Sequence, residues 1–121
     1  MVRGSVVLVS AKGDYGKPRP AVIVQDTRME KIIGSITVCF LTTDLTDENG
    51  VLRVDIGPDA LNGLRQKSQV QVEKLMTFPR DKVRGPIGQL DQLQMRAVDI
   101  GLLVHLGLAA QLDAPTPRRG R

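Results

Sequence analysis

Apolar residues along this chain fall into short runs separated by polar, glycine- and proline-bearing breaks. Val6-Val7-Leu8-Val9 is β-branched-rich, lies between Gly4 and Ala11-Lys12-Gly13-Asp14, and predicts a first strand. Ser10–Lys17 is polar and predicts a loop, Arg19–Gln25 a second strand, and Asp26–Lys31 a polar connection. Ile32–Thr43 predicts a longer third strand, with Gly34 as a bend or bulge. Its apolar residues occupy both faces (Ile36, Val38 and Phe40 against Cys39 and Leu41), which predicts a central strand covered on both sides. Val51–Ile56 alternates and predicts a fourth strand. After a loop over Leu61–Lys67, Ser68–Leu75 predicts a fifth, with Val70 and Val72 inward and Gln69, Gln71 and Glu73 outward.

From Asp91 the period changes. Leu93, Ala97, Ile100, Val104 and Leu108 recur at helical spacing, and Asp91 is placed to cap the helix. Gly101 and Gly107 lower its intrinsic propensity, so packing on the sheet must hold it. Residues 113–121 carry prolines and three arginines and are expected to form a disordered basic tail, leaving residues 1–112 as the domain. Five strands without crossover helices point to a mainly β (α+β) fold: a small SH3-like antiparallel barrel with a C-terminal helix.

Composition narrows the function. A chain of 121 residues suits one domain, and 41% hydrophobic content supplies a core. No apolar run is long enough to span a membrane, and the N-terminus enters a strand pattern at once, which predicts no signal peptide. The single cysteine, Cys39, rules out a disulfide framework and fits a cytoplasmic location. A net charge of +4 suits nucleic acid or an acidic protein as partner. Aromatic residues make up only 2%, too few for a platform that stacks several bases. With one histidine and one cysteine there is no zinc-ligand spacing and no histidine pair, and there is no phosphate-binding glycine loop. No cofactor is expected. His105 reads as a helix-face residue and Cys39 as a buried hydrophobe.

The chemistry that remains stands at strand ends. In Gly16-Lys17-Pro18-Arg19-Pro20-Ala21-Val22, each proline fixes its own φ and keeps the preceding residue extended. Arg19 is thereby presented from a stiff corner, where a planar, permanently charged fork suits a phosphate or carboxylate. A simple strand start with a solvated arginine fits the same residues. Thr42, Thr43 and Asp44 end the third strand, and Ser68 opens the fifth. Threonine in a strand also has a purely steric reading.

In this order, the opening Arg3-Gly4, the Gly-Lys-Pro-Arg-Pro-Ala-Val-Ile-Val corner, Val38-Cys39-Phe40-Leu41-Thr42, Ser68–Thr77 and the closing helix resemble the MazF/PemK family of toxin–antitoxin toxins over about residues 3 to 110. The resemblance implies an SH3-like barrel, a homodimer and a sequence-specific endoribonuclease acting on single-stranded mRNA. It also implies inhibition by an acidic, partly disordered antitoxin. Arg19 matches the family's catalytic arginine and Thr42 its catalytic threonine; Lys17, Tyr15, Thr43 and Ser68 are the neighbouring candidates for RNA contact. Ser5 stands where the family has Asp after Arg-Gly, and Glu73-Lys74-Leu75-Met76-Thr77 replaces Glu-Gln-Ile-Arg-Thr. The Ser10–Pro18 loop, which gates the site in the family, is short. Apolar residues on both strand faces also call for cover, which a two-fold contact can supply. Two other functions fit such a barrel: poisoning DNA gyrase without catalysis, and non-catalytic RNA binding. Gyrase poisons of this fold typically use a tryptophan at the end of the helix, and this chain has none.

Overall fold

The computed structural model describes residues 1–10 and 17–113. Six strands form one antiparallel sheet: β1 (Ser5–Val9), β2 (Arg19–Ile23), β3 (Ser35–Thr42), β4 (Arg53–Ile56), β5 (Ser68–Pro79) and β6 (Val83–Gln89). Their spatial order is β4-β5-β3-β2-β1-β6. Among the described residues, three α-helices accompany the sheet: α1 (Glu30–Ile33), α2 (Gln92–His105) and α3 (Ala109–Asp113). Asp113, where the tail was expected to begin, closes α3, and residues 114–121 lie outside the described residues. No helix among the described residues is long and apolar enough to cross a membrane.

The alternation of the strands builds two cores. Val6, Val22, Cys39, Leu41, Val54, Ile56, Val70 and Val72 turn to one face, where Leu90, Met95 and Val98 cover them. Val7, Val9, Ala21, Ile23, Ile36, Val38 and Phe40 turn to the other, where the sheet curls so that Phe78 and Val83 complete the cluster. β3, between β2 and β5, feeds both cores, as its two-sided apolar pattern predicts. Both faces are therefore covered within a single chain, and the need to cover a strand face gives no argument for a second copy.

The sheet does not close on itself; β4 and β6 are its edges. The loop between β4 and β5 bridges them. Gln89 N–H donates to Leu61 O at 2.9 Å, and a Cβ on Gly63 would stand 2.4 Å from Ile87 O. A Cβ on Gly88 would stand 2.4 Å from Leu61 O, so the two backbones meet with no room for a side chain.

Several elements differ from the sequence reading. β6 is a sixth strand that Gly85, Pro86 and Gly88 conceal. The third strand starts at Ser35 rather than Ile32, because residues 30–33 form α1 and Gly34 ends it with φ +67° instead of bending a strand. The fifth strand runs to Pro79, with a register shift opposite Phe40, where Leu41 pairs with Val70 but Cys39 with Leu75. That irregularity bends β5 so that its first half also pairs with β4. The fourth strand starts at Arg53, after a 3-10 turn over Gly50–Leu52.

Asp91 caps α2 as expected, in a reciprocal box: Gln94 N–H donates to Asp91 Oδ1 at 2.7 Å, and Asp91 N–H to Gln94 Oε1 at 2.9 Å. The buried face is another matter. It consists of Met95, Val98 and Gly101, while Leu93, Ile100 and Val104 of the expected stripe are exposed. Arg3 fastens α2 to the sheet by pairing with Asp99 and donating from Nε to Val24 O at 2.9 Å. Gly101 lets the helix approach closely, since a Cβ there would stand 2.5 Å from Val51 O. Gly101→Ala raises helix propensity by about 1 kcal/mol but forces overpacking of about 1–3 kcal/mol. We expect a lower midpoint in thermal unfolding for this variant, the reverse of what propensity alone gives.

Candidate functional site

A single transverse row of the sheet assembles the site. Val9 pairs with Arg19 across β1 and β2. Ala21 pairs with Phe40, and continuing that register by two residues sets Arg19 level with Thr42. Thr42 pairs in turn with Gln69, and Gln69 with Asp55. Residues level with one another on an antiparallel sheet share a face. Arg19 and Thr42 thus come together from separate stretches of chain by strand register alone.

The Arg19 guanidinium lies over the Phe40 ring, with Cζ 4.3 Å from the centroid. Phe40 is itself packed edge-on against Phe78, with ring centroids 5.9 Å apart. Such a cation–ring contact contributes about 0.5–2 kcal/mol and leaves the in-plane N–H groups available. None of the ion pairs among the described residues uses Arg19. Arg19, Pro20, Leu41, Thr42, Thr43 and Ser68 line a cavity of about 230 Å³.

The hydroxyls of that cavity differ in what they can do. Thr42 Oγ1 accepts from Asp44 N–H at 3.0 Å, so its own hydrogen remains for an incoming oxygen. Ser68 is buried and donates to Gln66 O at 3.0 Å, so its hydroxyl is left to accept. Thr43 stands exposed on the rim, and Lys17 is exposed on the approach to β2. Tyr15 lies outside the described residues, as does Asp14.

The row continues into a polar network that alternation alone does not reveal. Gln69, expected to face solvent, is 4% exposed. Its Oε1 accepts from Thr46 N–H and Arg53 Nη1, both at 3.1 Å; its Nε2 donates to Thr46 O at 3.0 Å and Asp55 Oδ1 at 2.9 Å. Arg53 Nη1 also donates to Asp44 O at 3.2 Å, and its Nε to Glu73 Oε1 at 3.0 Å. Glu73 is thus engaged by Arg53, and among the described residues its buried Oε2 has no hydrogen-bond partner. The available signal was three polar residues at alternate positions of one strand with an arginine on its neighbour.

The remaining candidates are placed away from the cavity. Cys39 is fully buried, and its thiol is pushed up to about 12 by desolvation and then by the Glu73 charge, so it stays a neutral core group. His105 is exposed at the last position of α2. Ser5, the departure from Arg-Gly-Asp, is buried and accepts from Val2 N–H at 3.0 Å. Met76, at another departure, is 48% exposed. Among the described residues, no three His, Cys, Asp or Glu side chains gather where they would hold a metal.

A guanidinium thus lies on an aromatic ring among hydroxyls, at the end of a curled antiparallel sheet with one packed helix, on a small SH3-like fold. Residues 2–106 match the family described as PemK-like, MazF-like toxins of type II toxin–antitoxin systems, and the chain belongs to that family. A protein of Mycolicibacterium smegmatis described as a probable endoribonuclease MazF is 39% identical over 110 residues, covering 90% of this chain and 99% of that one. Among solved structures, the Mycobacterium tuberculosis toxin MazF-mt6 superposes with a TM-score of 0.72 at 23% identity, covering 86% of this chain and 97% of that one. An endoribonuclease in complex with its cognate antitoxin, from a mycobacterial species, gives 0.73 at 22% identity, covering 97% and 99%. These two superpositions establish likeness of fold.

Proposed function

We propose that this toxin is a sequence-specific endoribonuclease that cleaves single-stranded RNA without a metal ion. The observation that carries the reading is the placement of Arg19 on Phe40, over a cavity shared with Thr42. RNA brings its own nucleophile, the 2′-OH beside each phosphate, so the protein has to align it, stabilise the phosphorane and assist proton transfer. In this scheme O2′ attacks phosphorus and the P–O5′ bond breaks. The proton lost by O2′ is balanced by one gained at O5′, giving a 2′,3′-cyclic phosphate and a 5′-OH. Arg19 supplies in-plane donors to the non-bridging oxygens and assists the proton transfer. Thr42, its hydrogen uncommitted, donates to the phosphate or to the leaving oxygen. Lys17, Tyr15 and Thr43 contact the strand, and Ser68 accepts from a sugar hydroxyl or a base N–H.

Arg19→Ala is expected to lower the cleavage rate about 100- to 1,000-fold, the usual loss for one transition-state donor, and to abolish toxicity with the fold intact. Arg19→Lys should also be poor, because a point charge does not reproduce the fork. Rates on a long RNA, alongside circular dichroism, check both; a folded Arg19→Ala protein cutting at the wild-type rate removes the reading.

Among the described residues, the cavity lining contains a guanidinium and hydroxyls and no carboxylate. Cleavage should therefore persist in excess EDTA, DNA should be resistant, and a single 2′-deoxy substitution at the cut site should block it. End-group analysis should find the cyclic phosphate. Loss of activity on chelation, or cutting of the 2′-deoxy substrate, would leave the family assignment standing and overturn the mechanism.

As partners we propose single-stranded RNA, an acidic cognate antitoxin and a second copy of the chain, working in the cytoplasm. The net charge of +4 and the cationic cavity suit an acidic segment that competes with RNA. The exposed Leu93, Ile100 and Val104 on the outer side of α2 offer apolar surface for a homodimer. Sedimentation at micromolar concentration should give a dimer, and antitoxin peptide should displace labelled RNA. A monomer, or peptide and RNA bound together without mutual loss of affinity, contradicts the respective partner.

A further inference from the structure

We infer that Gln69 and Arg53 are positioning residues for cleavage, clamping the turn after β3 so that Thr42 is held level with Arg19. This rests on the endoribonuclease reading above and extends it to side chains that do not line the cavity. Thr42 is the last residue of β3, and the chain leaves the sheet directly after it. From there only a few contacts can fix its direction.

Thr42 Oγ1 accepts from Asp44 N–H, Asp44 O accepts from Arg53, and both the N–H and the C=O of Thr46 bond to the one side-chain amide of Gln69. Gln69 is a suitable anchor. It is buried, it sits beside Thr42 in the sheet register, and both its oxygen and its nitrogen are doubly engaged. Arg53 joins the two ends of the clamp, since one nitrogen, Nη1, reaches both the Asp44 carbonyl and Gln69 Oε1. Its Nε is tied to Glu73 in a pair only 13% and 21% exposed. The hydroxyl that faces the cavity is thus oriented through Asp44, and Asp44 through Arg53 and Gln69. Loss of the clamp frees the turn and the acceptor side of Thr42, without removing any group that touches RNA.

The experiment compares the intact protein with Gln69→Leu and with Arg53→Lys, which retains a cation opposite Glu73 but loses the fork. Cleavage is measured at saturating RNA, and binding separately with an uncleavable RNA carrying 2′-deoxy at the cut site. We expect the saturated rate of each variant to fall about 10- to 100-fold, as for misplacement from a distance. Affinity for the uncleavable RNA should change less than about threefold, since no contact with the strand is lost. The double variant should lose little more than the worse single, because both act through one turn. In the folded variants, amide exchange at Asp44 and Thr46 should speed up while that of the sheet core stays unchanged.

Should Gln69→Leu not fold, Arg53→Lys alone decides the matter. A folded variant cutting at the wild-type saturated rate overturns the inference and leaves the endoribonuclease reading intact. A loss confined to RNA affinity, or unchanged exchange at Asp44 and Thr46, also overturns it. Intact protein that leaves RNA uncut overturns the reading beneath it, and the inference falls with that reading.

Discussion

The position of Phe40 governs the rest of the site. Its ring belongs to the second core, where it meets Phe78 edge-on, and its remaining face is the surface on which Arg19 lies. A long cationic side chain on a strand end normally samples many rotamers. Here the apolar stem and the guanidinium plane have one favourable seat, and the donors are left pointing along the plane of the fork. Burial of an aromatic residue in the core thus becomes directional presentation of a charge. The flanking prolines restrict the backbone, and the ring restricts the side chain.

The second constraint is shared use of β3. Cys39 and Leu41 enter the helix-covered core, Val38 and Phe40 the curled one, and Thr42 ends the strand where neither core continues. A slip of one residue would move both apolar sets to the wrong face and would separate Thr42 from Arg19. The cores that stabilise the domain are therefore also what fixes the chemistry in register. The network around Gln69 supports the same end of the sheet from the neighbouring strands. It uses a buried amide and a largely buried ion pair where a solvated strand face was expected.

Legibility in the sequence followed the strength of local signals. The strand-end positions of Arg19 and Thr42 were legible because the Pro-Arg-Pro corner and the Leu-Thr strand end are local signals, and the structure sets both on one cavity. The Asp91 cap was legible for the same reason. β6 was not, because its glycines and proline mimic a loop while its backbone still pairs with β1. The outer stripe of α2 was mistaken for the inner one because apolar residues occur on both sides of that helix, and small Gly101 marks the true contact. Gln69 escaped notice because alternation reports polarity, and a polar residue fully paired by neighbours distant in sequence is buried all the same.

The seam between the loop at Leu61–Gly63 and β6 has a consequence for how this sequence can drift. Gly63, with φ +70°, and Gly88 meet the opposing backbone itself, and a main-chain carbonyl cannot rotate aside as a side chain can. Exposed loop residues such as Leu61, Arg65 and Gln66 can vary, and buried Asn62 is held by its own hydrogen bonds, but at Gly63 and Gly88 the constraint lies in the backbone itself. Any replacement must part β6 from the loop that fills the gap between the sheet's edges. The open barrel is thus shut by a clasp without side chains, and the clasp resists substitution because of its emptiness.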